Sequence, residues 1–302
     1  MIKSFGLEGV VKGNVEEENL VVSVSGEQTE ALVGEKGSII RALHELTRTA
    51  IQRKTGAGTR LRLDVAEYAT KRKEALTIYA ERLANLEVRD NGKLITEMSA
   101  QTKYLAEWYR YFGGLADKIE GAVLPADRPG IFNFTRYEPL GVIGMITAWN
   151  SPLLLLAWKL APALAAGNTA IIKPSEFTSA SSLEFMDLVN EAGFPAGVVN
   201  CITGYGLEVG AAMVEHPDVA KIAFTGSDFA GQKIYETAAK KIMPVTLELG
   251  GKSPNIVFED ADFEAAVMGA ISGIFAATGQ TCIAGSRLLV QRTIHDKFVK
   301  RL

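Results

Sequence analysis

The sequence is poor in the residues that build metal sites and disulfide scaffolds. Only two cysteines, Cys201 and Cys282, occur in 302 residues. That excludes a disulfide framework and leaves each thiol as core filler or reactive group. The three histidines, His44, His216 and His295, lie far apart, and no C-x-x-C or H-x-x-H spacing points to a metal, so none is expected. No apolar run is long enough for a membrane span. The greasiest stretch, residues 153–166, is short and carries Lys159, so it reads as a buried helix. The first residues lack the apolar core of a signal peptide, and the expected compartment is the cytoplasm. Net charge is only −3, which argues against a general polyanion binder. Hydrophobic residues at 47% and charged residues at 22% supply a sizeable core and argue against a disordered chain. The length suggests two domains.

Charge and proline divide the chain unevenly. Residues 1–33 carry a net −4, residues 34–84 a net +5 and residues 85–302 a net −4. The first 84 residues contain no proline, and all ten prolines fall from Pro125 onward. A boundary is expected near residues 84–90. In the first part, residues 20–25 alternate like a strand, with Val22 and Val24 on one face. Ile39, Leu43, Leu46 and Ala50 then recur at helical spacing. A second strand carries Leu61, Leu63 and Val65, and a last helix places Ala75, Leu76, Tyr79 and Leu83 on its apolar side. Gly34-Glu35-Lys36-Gly37 is expected to join a short helix to the longer one. Such a turn brings backbone N–H groups and a helix N-terminus close to a phosphate; the plain alternative is a glycine turn between helices.

Val21-Val-Ser-Val-Ser-Gly26, Leu32-Val-Gly-Glu-Lys-Gly37, Arg53-Lys54-Thr55-Gly56 and Leu63-Asp-Val-Ala-Glu-Tyr68 resemble the KH module of the bacterial Jag family of RNA-binding proteins. The resemblance implies an α+β module in residues 1–84 that grips single-stranded RNA at Gly34, Glu35, Lys36 and Gly37. The second nucleic-acid-binding segment of that family has no counterpart here.

The rest of the chain follows a different rhythm. Residues 142–147 form an apolar, β-rich run suited to a buried parallel strand. A helix at 153–166, a strand at 169–173, a helix at 181–192 and a strand at 198–203 follow. A helix at 208–215, a strand at 221–224, a helix at 231–240 and a strand at 244–249 complete the alternation. This predicts a doubly wound, Rossmann-like α/β sheet with ligands at the carboxyl ends of its strands. The unusual residues fall there: Trp149-Asn150, Lys173-Pro-Ser-Glu176, Gly204 to Gly206, Thr225-Gly-Ser227 and Glu248-Leu-Gly-Gly251. Gly226-Ser-Asp-Phe-Ala-Gly231 is neither G-x-G-x-x-G nor Walker A, and alone is weak. Its use would be a helix N-terminus facing a pyrophosphate. Lys173 and Glu176 could hydrogen-bond ribose hydroxyls, or form a solvated loop pair.

Cys282, in Gly279-Gln-Thr-Cys282, follows an apolar helical segment at 265–277 and has a polar setting, whereas Cys201 lies in an apolar strand. A carboxylate such as Glu248 can activate water or a thiol. The Asn150 amide, with the N–H of Cys282, can hold an oxyanion. Cysteine, glutamate and asparagine are the parts that form a thiohemiacetal and hydrolyse a thioester.

Arg89-Asp-Asn-Gly-Lys93, Glu138-Pro-Leu-Gly-Val-Ile-Gly144, Ala148-Trp-Asn-Ser-Pro152, Lys173-Pro-Ser-Glu176, Phe224-Thr-Gly-Ser227, Leu247-Glu-Leu-Gly-Gly-Lys-Ser-Pro254 and Gly279-Gln-Thr-Cys282 together resemble the aldehyde dehydrogenase superfamily, from Glu87 onward. The resemblance implies Cys282 as nucleophile, Glu248 as general base and Asn150 as oxyanion donor. It implies NAD, with NADP possible. Lys173 and Glu176 would hold the adenosine ribose, and Gly226, Ser227 and Gly231 would face the pyrophosphate. Ile146, Thr147, Ala148, Trp149, Gly206, Gly210, Phe224, Thr225 and Leu249 would line the cofactor cleft. Residues 85–248 would form the cofactor domain and residues 249–302 the start of a catalytic domain. The family's Glu-x-Phe-Gly-Pro motif and late oligomerisation strand have no counterpart, and the segment 293–302 reads as cut within a helix. The expected chemistry is oxidation of a small aldehyde, impaired by that truncation. The alternatives are an RNA-binding protein with a passenger α/β half, and a thioester-forming acyltransferase, against which Glu248 argues.

Overall fold

The computed structural model describes residues 6–16, 19–58 and 60–302. The chain divides into two compact units, Met1–Tyr79 and Ala80–Leu302.

The first unit holds strands β1 (Val10–Glu16) and β2 (Asn19–Ser25), helix α1 (Ser38–Thr55), strand β3 (Arg60–Val65) and the start of helix α2 (Tyr68–Asn91). Its sheet has the order β1-β2-β3; β1 runs antiparallel to β2, and β2 parallel to β3. Strand β1 was not expected. All seven of its residues are exposed, so no burial alternation marks it in the sequence. Val24, Leu32, Ile40, Leu43 and Val65 form the core. The expected apolar face of α1 is corrected: Ile39 and Leu46 are exposed and Ile40 is buried beside Leu43. A 3.6-residue repeat accommodates either set, and contact with the sheet selects one. Leu76 and Ala75 are likewise exposed, whereas Leu83 is buried. Helix α2 carries the chain from the first unit into the second without a break, so no linker composition marks the passage.

The second unit continues with α3 (Ile95–Gly113) and a small antiparallel pair, β4 (Val123–Leu124) and β5 (Asn133–Phe134). Then come β6 (Val142–Ile146), α4 (Pro152–Ala165), β7 (Thr169–Lys173), α5 (Ala180–Glu191) and β8 (Val199–Cys201). A wide turn over Gly206–Gly210 leads into α6 (Ala211–Glu215), β9 (Val219–Thr225), α7 (Asp228–Ala239) and β10 (Val245–Glu248). A parallel pair, β11 (Pro254–Val257) and β12 (Arg287–Val290), brackets α8 (Phe263–Phe275) and is followed by α9 (His295–Arg301).

The main sheet has the order β10-β9-β6-β7-β8, and each pairing is parallel. Crossover helices cover both faces, as parallel strands require. One core joins Ile143 and Met145 of β6 to Leu156 and Leu160 of α4. The other joins Ile146 to Met213, Ile222, Phe224 and Ile234. Gly144 makes the second contact possible, since a Cβ there would lie 2.5 Å from Ile222 Cδ1 and 2.8 Å from Met213 Sδ. The chain leaves β6 toward β7 and β8, then returns to β9 and β10 on its other side. That reversal opens a crevice at the carboxyl ends of β6 and β9. Among the described residues, no helix is long and apolar enough to cross a membrane, and no three His, Cys, Asp or Glu side chains cluster to hold a metal.

Candidate functional site

The turns at the carboxyl ends of the main sheet carry the residues singled out from the sequence. Ile146 ends β6, and Thr147, Ala148, Trp149 and Asn150 form the turn into α4. Thr147 is buried, and its Oγ1 has no hydrogen-bond partner among the described residues. Trp149 is exposed. Lys173 ends β7 almost fully buried, 2% exposed, and its Nζ meets Glu176 Oε2 at 3.0 Å. The Glu176 carboxyl is held below the usual carboxylate range by its own backbone N–H, by the Lys173 ammonium and by the N–H of Gly206. Thus Gly206, in the turn after β8, stands at the same carboxylate. Gly210 closes that turn, buried.

At the end of β9, Phe224 and Thr225 are buried. The Gly226 N–H donates to the Glu248 carbonyl at 3.0 Å, tying this turn to the end of β10. A Cβ on Gly226 would lie 2.4 Å from the Phe224 ring, and one on Gly231 would lie 2.6 Å from Leu249 Cδ2. These glycines therefore let the start of α7 settle against the strand ends. Ser227 caps α7, its Oγ accepting from the Ala230 N–H at 3.2 Å. Lys159, in the middle of α4, donates to Thr225 Oγ1. Burial lowers the Lys159 ammonium to about 8, opposed by the attraction of Glu248. Thr225, Lys159 and Glu248 thus belong to one neighbourhood.

The segment bearing Cys282 is brought to the same face. The Asn150 amide Nδ2 donates to the Gln280 carbonyl at 2.9 Å, across 130 residues of chain. Gly251 sits beside the thiol's backbone, where a Cβ would lie 3.5 Å from the Cys282 carbonyl. Just upstream, Ala277 and Thr278 adopt left-handed φ angles of 55° and 54°, a conformation non-glycine residues hold only under tertiary constraint. The Glu97 carboxylate supplies that constraint, accepting the Ala277 N–H at 3.1 and 3.0 Å. Cys282 is half-buried. Cys201 is also half-buried, and desolvation pushes its thiol up to about 11.

Three further side chains were not identified as site residues. Glu87, fully buried, accepts the Leu153 N–H at 2.9 Å at the start of α4. Lys93, 3% exposed, donates to Ser151 Oγ at 2.7 Å. Glu97 holds the segment before Cys282, as above. Lys93 closes a motif quoted from the sequence, but nothing in one sequence marks a charged residue as buried. Glu87 and Lys93 meet partners at the start of α4, and Glu97 meets the segment after α8, all across long stretches of chain.

In the first unit, Gly34 and Gly37 have φ of 70° and 77°, and the Gly37 N–H donates to the Gly34 carbonyl at 3.1 Å. Glu35 is exposed; the Lys36 side chain lies outside the described residues. A Cβ on Gly37 would lie 2.9 Å from Tyr68 Oη.

The profile of the aldehyde dehydrogenase family matches residues 59–302. The match begins well before Glu87, the start inferred from motifs, and includes β3 and all of α2. A dehydrogenase of (Z)-2-((N-methylformamido)methylene)-5-hydroxybutyrolactone from Acinetobacter baylyi is 54% identical over 223 residues, which cover 74% of this chain and 46% of that protein. Human retinal dehydrogenase 2 is 48% identical over 221 residues, 72% of this chain and 42% of its own. Among solved structures, betaine aldehyde dehydrogenase from Staphylococcus aureus in complex with NAD+ shares 44% identity at a TM-score of 0.73, covering 75% of this chain and 45% of that one. An NAD-dependent aldehyde dehydrogenase from Sinorhizobium meliloti shares 41% identity at the same TM-score of 0.73, covering 76% of this chain and 46% of that one. The chain spans about half the length of the curated relatives it matches. With a family profile matched over more than half its residues and a Rossmann-like fold shared with solved members, the chain belongs to the aldehyde dehydrogenase family.

Proposed function

We propose that the second unit carries out, or forms part of an enzyme that carries out, NAD-dependent oxidation of an aldehyde to a carboxylic acid. The observation that carries this reading is the Asn150 to Gln280 hydrogen bond of 2.9 Å, which sets the turn after β6 against the segment of Cys282. In this reading residues 85–248 bind the cofactor, residues 249–302 bring the nucleophile, and both free thiols suit a reducing, cytoplasmic setting.

The residues present fit a dinucleotide. Lys173 and Glu176 form a bonded pair at the edge of the crevice, suited to a ribose diol. Glu176 also favours NAD over NADP, because a carboxylate repels a 2′-phosphate. The start of α7 offers N–H groups and a helix dipole to a pyrophosphate, and glycine at 226 keeps the turn low. Thr147 supplies a buried hydroxyl that has no partner among the described residues. NAD, when bound, supplies a hydride acceptor.

The protein's own steps follow. The Cys282 thiolate attacks the carbonyl carbon, and the C=O π pair moves to oxygen, where the Asn150 amide donates to the oxyanion. After that carbon gives up its hydride, the oxygen pair reforms C=O and a thioester remains on Sγ. Glu248 takes a proton from water as the water oxygen attacks the thioester carbon. The C–S bond breaks, its pair returns to Sγ, and the acid leaves. Calorimetric titration with NAD tests the cofactor half, with NADH formation from short aldehydes followed alongside. Lys173→Ala is expected to weaken binding by about tenfold or more, the loss of one charge-assisted contact. Parent-like affinity would remove Lys173 from the site.

A second reading concerns the first unit: a KH-like module, as expected for residues 1–84, that binds single-stranded RNA. Its support is the left-handed Gly34 and Gly37 pair closing a tight turn directly before the 18-residue helix α1, within a stretch of net charge +5. Filter retention of a single-stranded RNA should fall as salt rises and should drop when Glu35 and Lys36 are both replaced by Asp. Unchanged retention would refute it.

A further inference from the structure

The lysine closing the Arg89-Asp-Asn-Gly-Lys93 motif takes no part in the steps above, yet it is bound into the reactive centre from two directions. Its backbone N–H donates to Asn91 Oδ1 at 3.0 Å, and Asn91 Nδ2 reaches the Asn150 carbonyl at 3.4 Å. Its ammonium donates to Ser151 Oγ at 2.7 Å. Asn150 and Ser151, at the end of the turn into α4, are therefore both held by this motif. On the far side, the same amide holds Gln280, two residues before Cys282. A buried cation needs opposing charge or strong hydrogen bonds. The titratable groups that face Lys93 are Glu87 on α2, Glu97 on α3 and the Cys282 thiol; burial lowers the ammonium and each of these three supports it.

We propose that Lys93 is a positioning residue for the cysteine centre: it clamps Asn150 and Ser151 so that the Asn150 amide is held against the segment of Cys282. Lys93→Met removes the donor to Ser151 and keeps most of the side chain's bulk. Ser151→Ala removes the acceptor and leaves the lysine in place. The inference rests on Cys282 being the nucleophile, and its test reads the thiol directly, without cofactor.

The experiment uses the full chain in a Cys201→Ser background, so that Cys282 is the one thiol labelled. Its rate of alkylation by iodoacetamide, a neutral reagent, is compared with its rate of acylation by p-nitrophenyl acetate, which needs the oxyanion donor. In Lys93→Met acylation should slow by about threefold to tenfold while alkylation stays at the parent rate. Lys93→Arg should restore most of the acylation rate. Ser151→Ala should slow acylation to a similar extent. Melting curves establish that each variant is folded. If Lys93→Met does not fold, the Ser151→Ala acylation rate decides the clamp. Parent-like acylation in a folded Lys93→Met or in Ser151→Ala would overturn the clamp. If the parent's Cys282 is itself inert to acylation, the nucleophile assignment fails first, a result distinct from that one.

Discussion

Replacing Glu87 by Gln should stabilise the second unit at neutral pH and do so much less in mild acid. Glu87 is fully buried on α2. It accepts the Leu153 N–H at 2.9 Å and the Ser181 hydroxyl at 3.5 Å, while Oε2 has no partner among the described residues. Desolvation dominates and lifts its carboxyl from an ordinary 4.5 to about 6, against the Leu153 N–H, the charge of Lys93 and the Ser181 hydroxyl. Between these two values the folded chain holds a proton that the unfolded chain has released. Stability must therefore fall as pH rises through that window, and the full penalty applies above about pH 6. A difference of about 1.5 pH units corresponds to about 2 kcal/mol. Gln fills the same space and keeps an oxygen for Leu153 without the charge, so most of that penalty should vanish. The assay is urea unfolding followed by tryptophan fluorescence at about pH 5 and pH 7.5. All three tryptophans, Trp108, Trp149 and Trp158, lie in the second unit, so the signal reports it alone. The Glu87→Gln advantage should be about 1–2 kcal/mol larger at the higher pH. An advantage independent of pH would refute the reasoning, because it would mean that the carboxyl titrates alike in both states. Glu87→Ala should destabilise at both pH values, since it leaves the buried Leu153 N–H without an acceptor.

Other outcomes follow from the same geometry. Cys201, pushed up to about 11 by burial, should react with iodoacetamide more slowly than Cys282 at pH 7.5; faster labelling of Cys201, located by peptide mapping, would reverse the thiol assignment. Gly231→Ala drives a methyl against Leu249 and should cost about 1–3 kcal/mol in urea unfolding, along with weaker NAD binding; a neutral change would mean α7 can shift freely. Gly37→Ala combines an unfavourable left-handed φ with a clash on Tyr68 and should lower the melting temperature by several degrees, read by circular dichroism. Glu176→Gln should narrow the preference for NAD over NADP in parallel titrations, and an unchanged ratio would remove Glu176 from the ribose.

Much of the second unit was legible in the sequence because parallel strands buried on both faces leave continuous apolar runs. The strand at residues 169–173 has the expected bounds, and those around residues 142 and 245 differ by a residue or two. The Asn150, Lys173, Glu176 and Glu248 positions could be placed at strand ends for the same reason. Other features depend on what meets across the fold. An exposed strand such as β1 leaves no alternation, and a helix with apolar residues at both 39 and 40 does not say which one the sheet will cover. Glycines 226 and 231, expected to face a pyrophosphate at a helix N-terminus, make room for the Phe224 ring and for Leu249 within the protein. The charged residues around the reactive turn were the least legible. Glu87 meets Leu153 across 66 residues and Lys93 meets Ser151 across 58. The sequence by itself determined the alternation and the family, and suggested the residue types of the proposed chemistry. Only the tertiary structure decided which charges are buried beside them, because desolvation depends on the surrounding packing and not on chain neighbours.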